Sequence, residues 1–223
     1  MTKKKDTQSL KKLISAREHK EKKCAEYLTL IPEELFHKKL LGDFNHKTEY
    51  RGNSGVVDFI AVGKVMDGAT RHRALYLWEL KSPQSYIFEQ ENKTRLIPSQ
   101  SLVRAENQLL NYYYELSQND YFRKKFKNLG DCNDIHLGGI IIGSKKTLIK
   151  RKKRVKEALD ENAFEEACRI RDIFYKRENI VLYTWDDILE LIEGRSKENV
   201  SEQGTQKDIP LKRARSTQII KDK

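Results

Sequence analysis

Hydrophobic and polar positions change period several times along this chain, and each change marks an element. Residues 1–27 are Lys-rich, with apolar residues only at Leu10, Leu13, Ile14 and Ala16 before the charged run Arg17 to Lys23. That pattern predicts a basic tail leading into a solvated helix. From Leu28 to Leu41, Pro32 stands where a helix begins, and Leu35, Phe36, Lys39 and Leu40 follow at helical spacing, predicting a short amphipathic helix. Residues 42–55 are rich in turn formers. Then Val56, Asp58, Ile60 and Val62 alternate with Val57, Phe59 and Ala61, the period of a central strand with one acid in it. Asp67-Gly68 is a turn signal, and ALYLWELK follows as a second strand in which Leu75, Leu77, Glu79 and Lys81 share a face. A hairpin is the economical connection.

Pro83 ends that strand, and a polar stretch runs to Pro98. Leu102, Ala105, Leu109, Tyr112 and Leu116 then recur at helical spacing. HLGGIIIGS, bounded by glycines, reads as a third core strand. Residues 145–178 read as helical, beginning with the basic run Lys145 to Lys156 and continuing through a stripe of Phe164, Ala167, Ile170 and Phe174. A last strand and short helix lie in NIVLYTWDDILELIEG, with Thr184 or Asp186 as the cap. Residues 195–223 are polar and aperiodic, the composition of a disordered tail. The expectation is one α/β core over 28–194, a mixed central sheet flanked by helices in the outline α-β-β-α-β-α-β. A basic segment over 1–27 precedes it and the tail follows.

Charge narrows the class of partner. Lys and Arg total 44 against 33 Asp and Glu, a net charge of +11. Such an excess concentrates polyanions, nucleic acid first, although a charged soluble surface is the alternative reading. The basic run after Lys145 and the tail residues Lys212, Arg213 and Arg215 read either as phosphate contacts or as solvated surface. Cys24, Cys132 and Cys168 are odd in number and scattered, which suits reduced thiols in a cytoplasmic protein rather than disulfides or a Cys-x-x-Cys metal site. No apolar run is long enough for a membrane span or a secretory signal.

Two acids inside core strands demand an explanation. An unpaired buried carboxylate costs several kcal/mol, so Asp58 and Glu79 need cationic partners or a metal. Two carboxylates suit a hard cation, Mg²⁺ or Mn²⁺, with waters and a substrate phosphate completing its shell. Lys81 falls on the same strand face as Glu79 and can touch an attacking water or a scissile phosphate. These are the parts of a phosphodiester hydrolase. His46, before the first strand, and His72, in the hairpin, read as loop residues or as proton carriers.

The order GVVD followed by WELK resembles the signature of PD-(D/E)XK nucleases, here in the form D…ExK. With AENQLLNY, IIIGS and LYTWDDIL added, residues 45–192 are similar to the nuclease domain of Shedu antiphage defence proteins. Gln108 and Tyr112 match the Q-x-x-x-Y element of RecB-like nucleases and share one helix face, from which both reach the active-site mouth or DNA; the alternative is a solvated Gln108 and a core Tyr112. The resemblance implies a restriction-endonuclease-like core that cleaves DNA with Mg²⁺ and no other cofactor, as a homo-oligomer acting on invading phage DNA. It also implies a further acid from the first helix, for which Glu26, Glu33 and Glu34 are candidates. Two departures stand out: Val57 occupies the position of the family's proline, and few residues precede the core. A restriction or repair nuclease of the same fold, or a DNA-binding scaffold without turnover, are the rival readings.

Overall fold

The computed structural model describes residues 7–51, 55–118, 134–151 and 158–204, with side chains as far as Arg195. At its centre is a five-stranded mixed sheet in the order β1-β2-β3-β6-β8. Numbered in chain order, these are β1 (Lys39–Arg51), β2 (Val56–Asp67), β3 (Thr70–Leu80), β6 (Ile135–Ile141) and β8 (Val181–Tyr183). β1, β2 and β3 pair antiparallel, and β6 and β8 continue the sheet in parallel. Parallel neighbours need crossovers. α3 (Gln100–Gln118) lies between β3 and β6 in the chain, and α4 (Ala163–Glu178) between β6 and β8. Short strands β4 (Phe88–Gln90), β5 (Leu96–Pro98) and β7 (Ile149–Lys150) make a second sheet in the order β5-β4-β7. Before β1 come α1 (Thr7–Ser15), α2 (Glu21–Ala25) and the 3₁₀ turns Glu26–Leu30 and Pro32–Leu35; after β8 comes α5 (Trp185–Gly204).

The two-residue period of the strands builds a core on each face of the sheet. Leu75 and Leu77 join Ile60 and Val62 under α3, whose Leu102, Ala105, Leu109, Tyr112 and Leu116 are all buried there, as their spacing predicted. Tyr76, Trp78 and Leu80 point the other way, with Phe59 and Ala61, into a core closed by Leu10, Cys24, Leu28 and Ile188. Each such side chain contributes about 1.5–3 kcal/mol of burial. Val57 is an exception: expected with Phe59, it sits in the α3 core, where the chain has just entered β2 beside Tyr112. Gly138 and Gly139 are required by close approach, since a Cβ would lie 2.4 Å from Trp78 Nε1 at the first and 2.3 Å from the Val181 carbonyl oxygen at the second.

The mixed α/β fold is the expected one, and the hairpin, α3, β6 and β8 fall where periodicity put them. Other segments differ. The helix expected over 28–41 is instead two 3₁₀ turns followed by β1, which takes in most of the turn-rich stretch. α1 is no solvated helix, because Leu10 is fully buried between the N-terminal segment and α5. In the basic run, residues 149–150 are strand rather than helix, and Lys152 to Lys156 lie outside the described residues, as do Cys132 and the tail residues Lys212, Arg213 and Arg215. On α4, Ala167 is buried but Ile170 is 60% exposed. α5 continues to Gly204, into the segment expected to be unstructured. Its cap is Thr184: the Thr184 N–H and Oγ1 donate to Asp187 Oδ2 at 2.7 and 2.8 Å, and the Asp187 N–H donates back to Thr184 Oγ1 at 3.2 Å. Asp186 instead accepts the Lys145 N–H at 2.7 Å. Among the described residues, no helix is long and apolar enough to cross a membrane.

Candidate active site

Strand register brings the predicted acids together. β2 and β3 pair Phe59 with Trp78, so the next step sets Asp58 opposite Glu79. On the other side, β1 pairs Thr48 with Phe59 and Tyr50 with Val57, which sets Glu49 opposite Asp58. Glu49 has positive φ and its carboxylate pairs with Lys22, and it reaches Asp58 through charge alone. Asp58 Oδ2 accepts the Leu80 N–H at 3.0 Å, tying the first acid to the backbone of the ExK segment. Lys81 follows β3 directly; its N–H donates to the Ile141 carbonyl at 2.8 Å, and its own carbonyl accepts Trp185 Nε1 at 2.7 Å. β6 and α5 thus pin the segment that carries Glu79 and Lys81.

Lys81 Nζ donates to the Glu79 carboxylate and to Gln108 Oε1, the latter at 2.9 Å. Gln108 Nε2 in turn donates to Tyr112 Oη at 3.4 Å. The four side chains form one chain of contacts from β3 to α3. Tyr112 is also a packing residue, 4% exposed, and its ring closes over Gly55. Gly55 has φ +146, and a Cβ there would meet Tyr112 Oη at 3.1 Å, so the residue that opens β2 has to be glycine. Gln108 is half-buried and bonded to Lys81, and Tyr112 is at once a core residue and the neighbour of Gln108 in this chain of contacts.

Burial sets the electrostatics. Glu79 is 1% exposed, and its carboxyl is pushed up to about 9, first by burial and then by the Asp58 charge, against the pull of Lys81. Asp58 is raised as well, by burial, while the Leu80 N–H and Lys81 oppose the rise. Glu21 on α2 belongs to the same electrostatic group: it is pushed up to about 7 by burial and by Asp58, with Lys81 and the backbone of Ser82 holding it down. Of the acids on the helices before β1, Glu21 is the one coupled by charge to Asp58. The three candidates named from the sequence stand elsewhere, with Glu26 exposed on a 3₁₀ turn and Glu33 and Glu34 paired with Arg195. A signal for it was present, because Glu21, Cys24, Ala25 and Leu28 recur at helical spacing and the last three are buried. His46 lies on β1, stacked between Phe44 and Phe59, and His72 pairs with Val65 near the opposite end of β3 from Glu79.

A divalent cation fits this donor set. Glu79 Oε2 is buried with no hydrogen-bond partner, beside Asp58, whose charge raises the Glu79 carboxyl while Glu79 helps to hold Asp58 down. An oxygen-only pair of this kind suits Mg²⁺ or Mn²⁺ rather than a softer metal. Among the described residues no three His, Cys, Asp or Glu side chains converge as a ready-made cage, so the acids present themselves as a pair, with Glu21 coupled to them by charge.

Among solved structures, the chain resembles the DNA modification-dependent restriction endonuclease AspBHI, with 11% identity and a TM-score of 0.37 over 89% of this chain. It spans only 39% of that protein's length. No curated protein sequence matches it. The family model for the C-terminal region of the Shedu protein SduA matches residues 18–189, from just before Glu21 into the first turns of α5, and by that match the chain belongs to the Shedu SduA C-terminal family.

Proposed function

We propose that this chain is a metal-dependent DNA endonuclease that hydrolyses phosphodiester bonds in antiphage defence, with Asp58, Glu79 and Lys81 as its catalytic residues. The observation that carries the reading is the pairing of half-buried Asp58 with buried Glu79, whose Oε2 is unpartnered while its other oxygen meets the Lys81 ammonium. A protein with no use for a cation gains nothing from two carboxylates in the interior.

Asp58 and Glu79 would hold Mg²⁺ or Mn²⁺, which lowers the pKa of an attacking water and neutralises charge growing on the phosphate. Asp58 is oriented by the Leu80 N–H. Lys81, steered by Gln108, offers a fixed positive charge to the phosphoryl oxygens and a donor to the incoming water. Glu21, raised by burial and by Asp58, is the further carboxylate near this pair that would serve as a proton acceptor. Tyr112 holds Gln108 in place and keeps α3 against the start of β2.

The test is cleavage of linear and supercoiled DNA by the full chain and by Lys81→Ala, with Mg²⁺, Mn²⁺ or EDTA. Cutting that needs the metal and falls by about 10²–10⁴ in the variant supports the reading. Cleavage by the variant equal to that of the wild type removes Lys81 from the chemistry and overturns this site, and no cleavage by a folded chain that still binds DNA makes the protein a scaffold. Methylation-dependent cutting would indicate restriction, and preference for junctions or ends would indicate repair.

A further inference from the structure

Two of the buried side-chain polar atoms without a hydrogen-bond partner among the described residues, Tyr76 Oη and His136 Nε2, belong to residues that line the same recess. Its volume of about 310 Å³ far exceeds the ~30 Å³ of a single water. Tyr76 lies on β3 three residues before Glu79, on the opposite strand face, so the recess is distinct from the candidate active site. The rings beside it are fixed: His136 stacks on Tyr76 at 4.8 Å, and His37 meets Tyr76 edge-on at 5.2 Å. His37 Nε2 is spent on the Gly138 carbonyl at 2.8 Å. The backbone N–H of His37 lies near the Tyr76 hydroxyl, and it is an N–H, so the hydroxyl's own proton has no acceptor. Lys38, Arg177 and Glu178 also line the recess. The partners of the two cations, Asp67 at 2.6 Å from Lys38 and Glu178 at 3.5 Å from Arg177, are joined in exposed pairs of the kind that exchange readily for another anion.

A recess with an unspent hydroxyl proton and an unpartnered imidazole nitrogen, lined by two cations against the one carboxylate of Glu178, suits a ligand of acceptors and negative charge. We propose that it is a phosphate-binding site, taking either inorganic phosphate or the terminal phosphate of a nucleotide. In this site Tyr76 Oη donates, His136 donates in the tautomer that carries its N–H on Nε2, and Lys38 and Arg177 supply the positive charge. Burial and the nearby Lys38 and His72 hold the His136 imidazole neutral, at about 4, so the ring keeps one N–H to give. The proposal does not depend on the nuclease reading.

Calorimetric titration of the full chain in EDTA, so that no metal recruits phosphate to the acidic pair, tests it. Phosphate, adenosine monophosphate and adenosine are titrated at matched ionic strength. Saturable phosphate binding that weakens about tenfold in Tyr76→Phe and in Arg177→Ala is expected, each loss being that of one charge-assisted hydrogen bond. Arg177 is a surface residue, so its variant remains informative if Tyr76→Phe folds poorly. Tighter binding of the nucleotide than of the free ion identifies a nucleotide site, and equal binding an inorganic one. Absence of saturation by about 10 mM of either, or binding that neither variant alters, overturns the proposal and leaves the two atoms to buried water.

Discussion

Glu79 concentrates the cost of this site in one carboxyl, and that cost has a measurable sign. Its folded value of about 9 lies above the ordinary 4.5, so the metal-free folded chain holds a proton that the unfolded chain releases. The stabilisation is complete below pH 4.5 and is lost as pH rises through about 9. His136 runs the other way, but its contribution is complete above the ordinary 6.5, which leaves the window from about pH 7 to 9 to Glu79. In EDTA, thermal denaturation should show a falling melting temperature across that window, and Glu79→Gln should flatten it. Saturating Mg²⁺ should flatten it too, by replacing the proton. A melting temperature that climbs from pH 7 to 9 without metal would contradict the burial argument. Asp58, Glu79 and Lys81 were legible because an acid in an apolar strand stands out. Glu21 was not, since it sits in a charged run where only the spacing of Cys24, Ala25 and Leu28 hints at an inner face.

Elements hold the site through their ends. α5 touches the ExK segment through Trp185 Nε1 on the Lys81 carbonyl, and the reciprocal Thr184–Asp187 cap fixes where that helix begins. Thr184→Ala should cost about 1 kcal/mol in urea denaturation and leave the dependence on denaturant unchanged. Gly139→Ala should be far worse, at least about 3 kcal/mol, because its Cβ meets the β8 backbone rather than a side chain that can move. Elements with internal periodicity were legible: β2, β3 and α3 each bury a regular face. β1 was not, for a physical reason. It is an edge strand with alternate residues exposed, register shifts between Leu40 and Asn45, and positive φ at Gly42, Asp43 and Glu49, so its residues are those of turns. It gains its order from one ladder with β2, which no local pattern records. In the described part of the basic run the reverse holds: Ile149 and Lys150, helical in propensity, are drawn into β7 by pairing with β4.

For the whole molecule, the +11 charge is the property that the two cores leave unexplained. Part of it is neutralised in place: Lys11, Lys22, Lys38, Lys145 and Lys150 each stand beside a carboxylate. Residues 205–223 carry six Lys and Arg against two Asp, a net +4 and so over a third of the excess, although their place in the structure is not described. If that charge serves DNA, removing it should change how binding responds to salt more than how the site reacts. Each phosphate neutralised adds roughly 0.9 to the slope of log affinity against log salt for duplex DNA. A chain ending at Gly204, compared with the full chain in EDTA by fluorescence anisotropy on one duplex, should lose about two to four units of slope. Its metal-dependent rate at saturating DNA should stay within about twofold, because every residue of the Asp58–Glu79–Lys81 network lies before the cut. Equal slopes for the two chains would assign the terminal charge to solubility and place DNA attraction on the folded core.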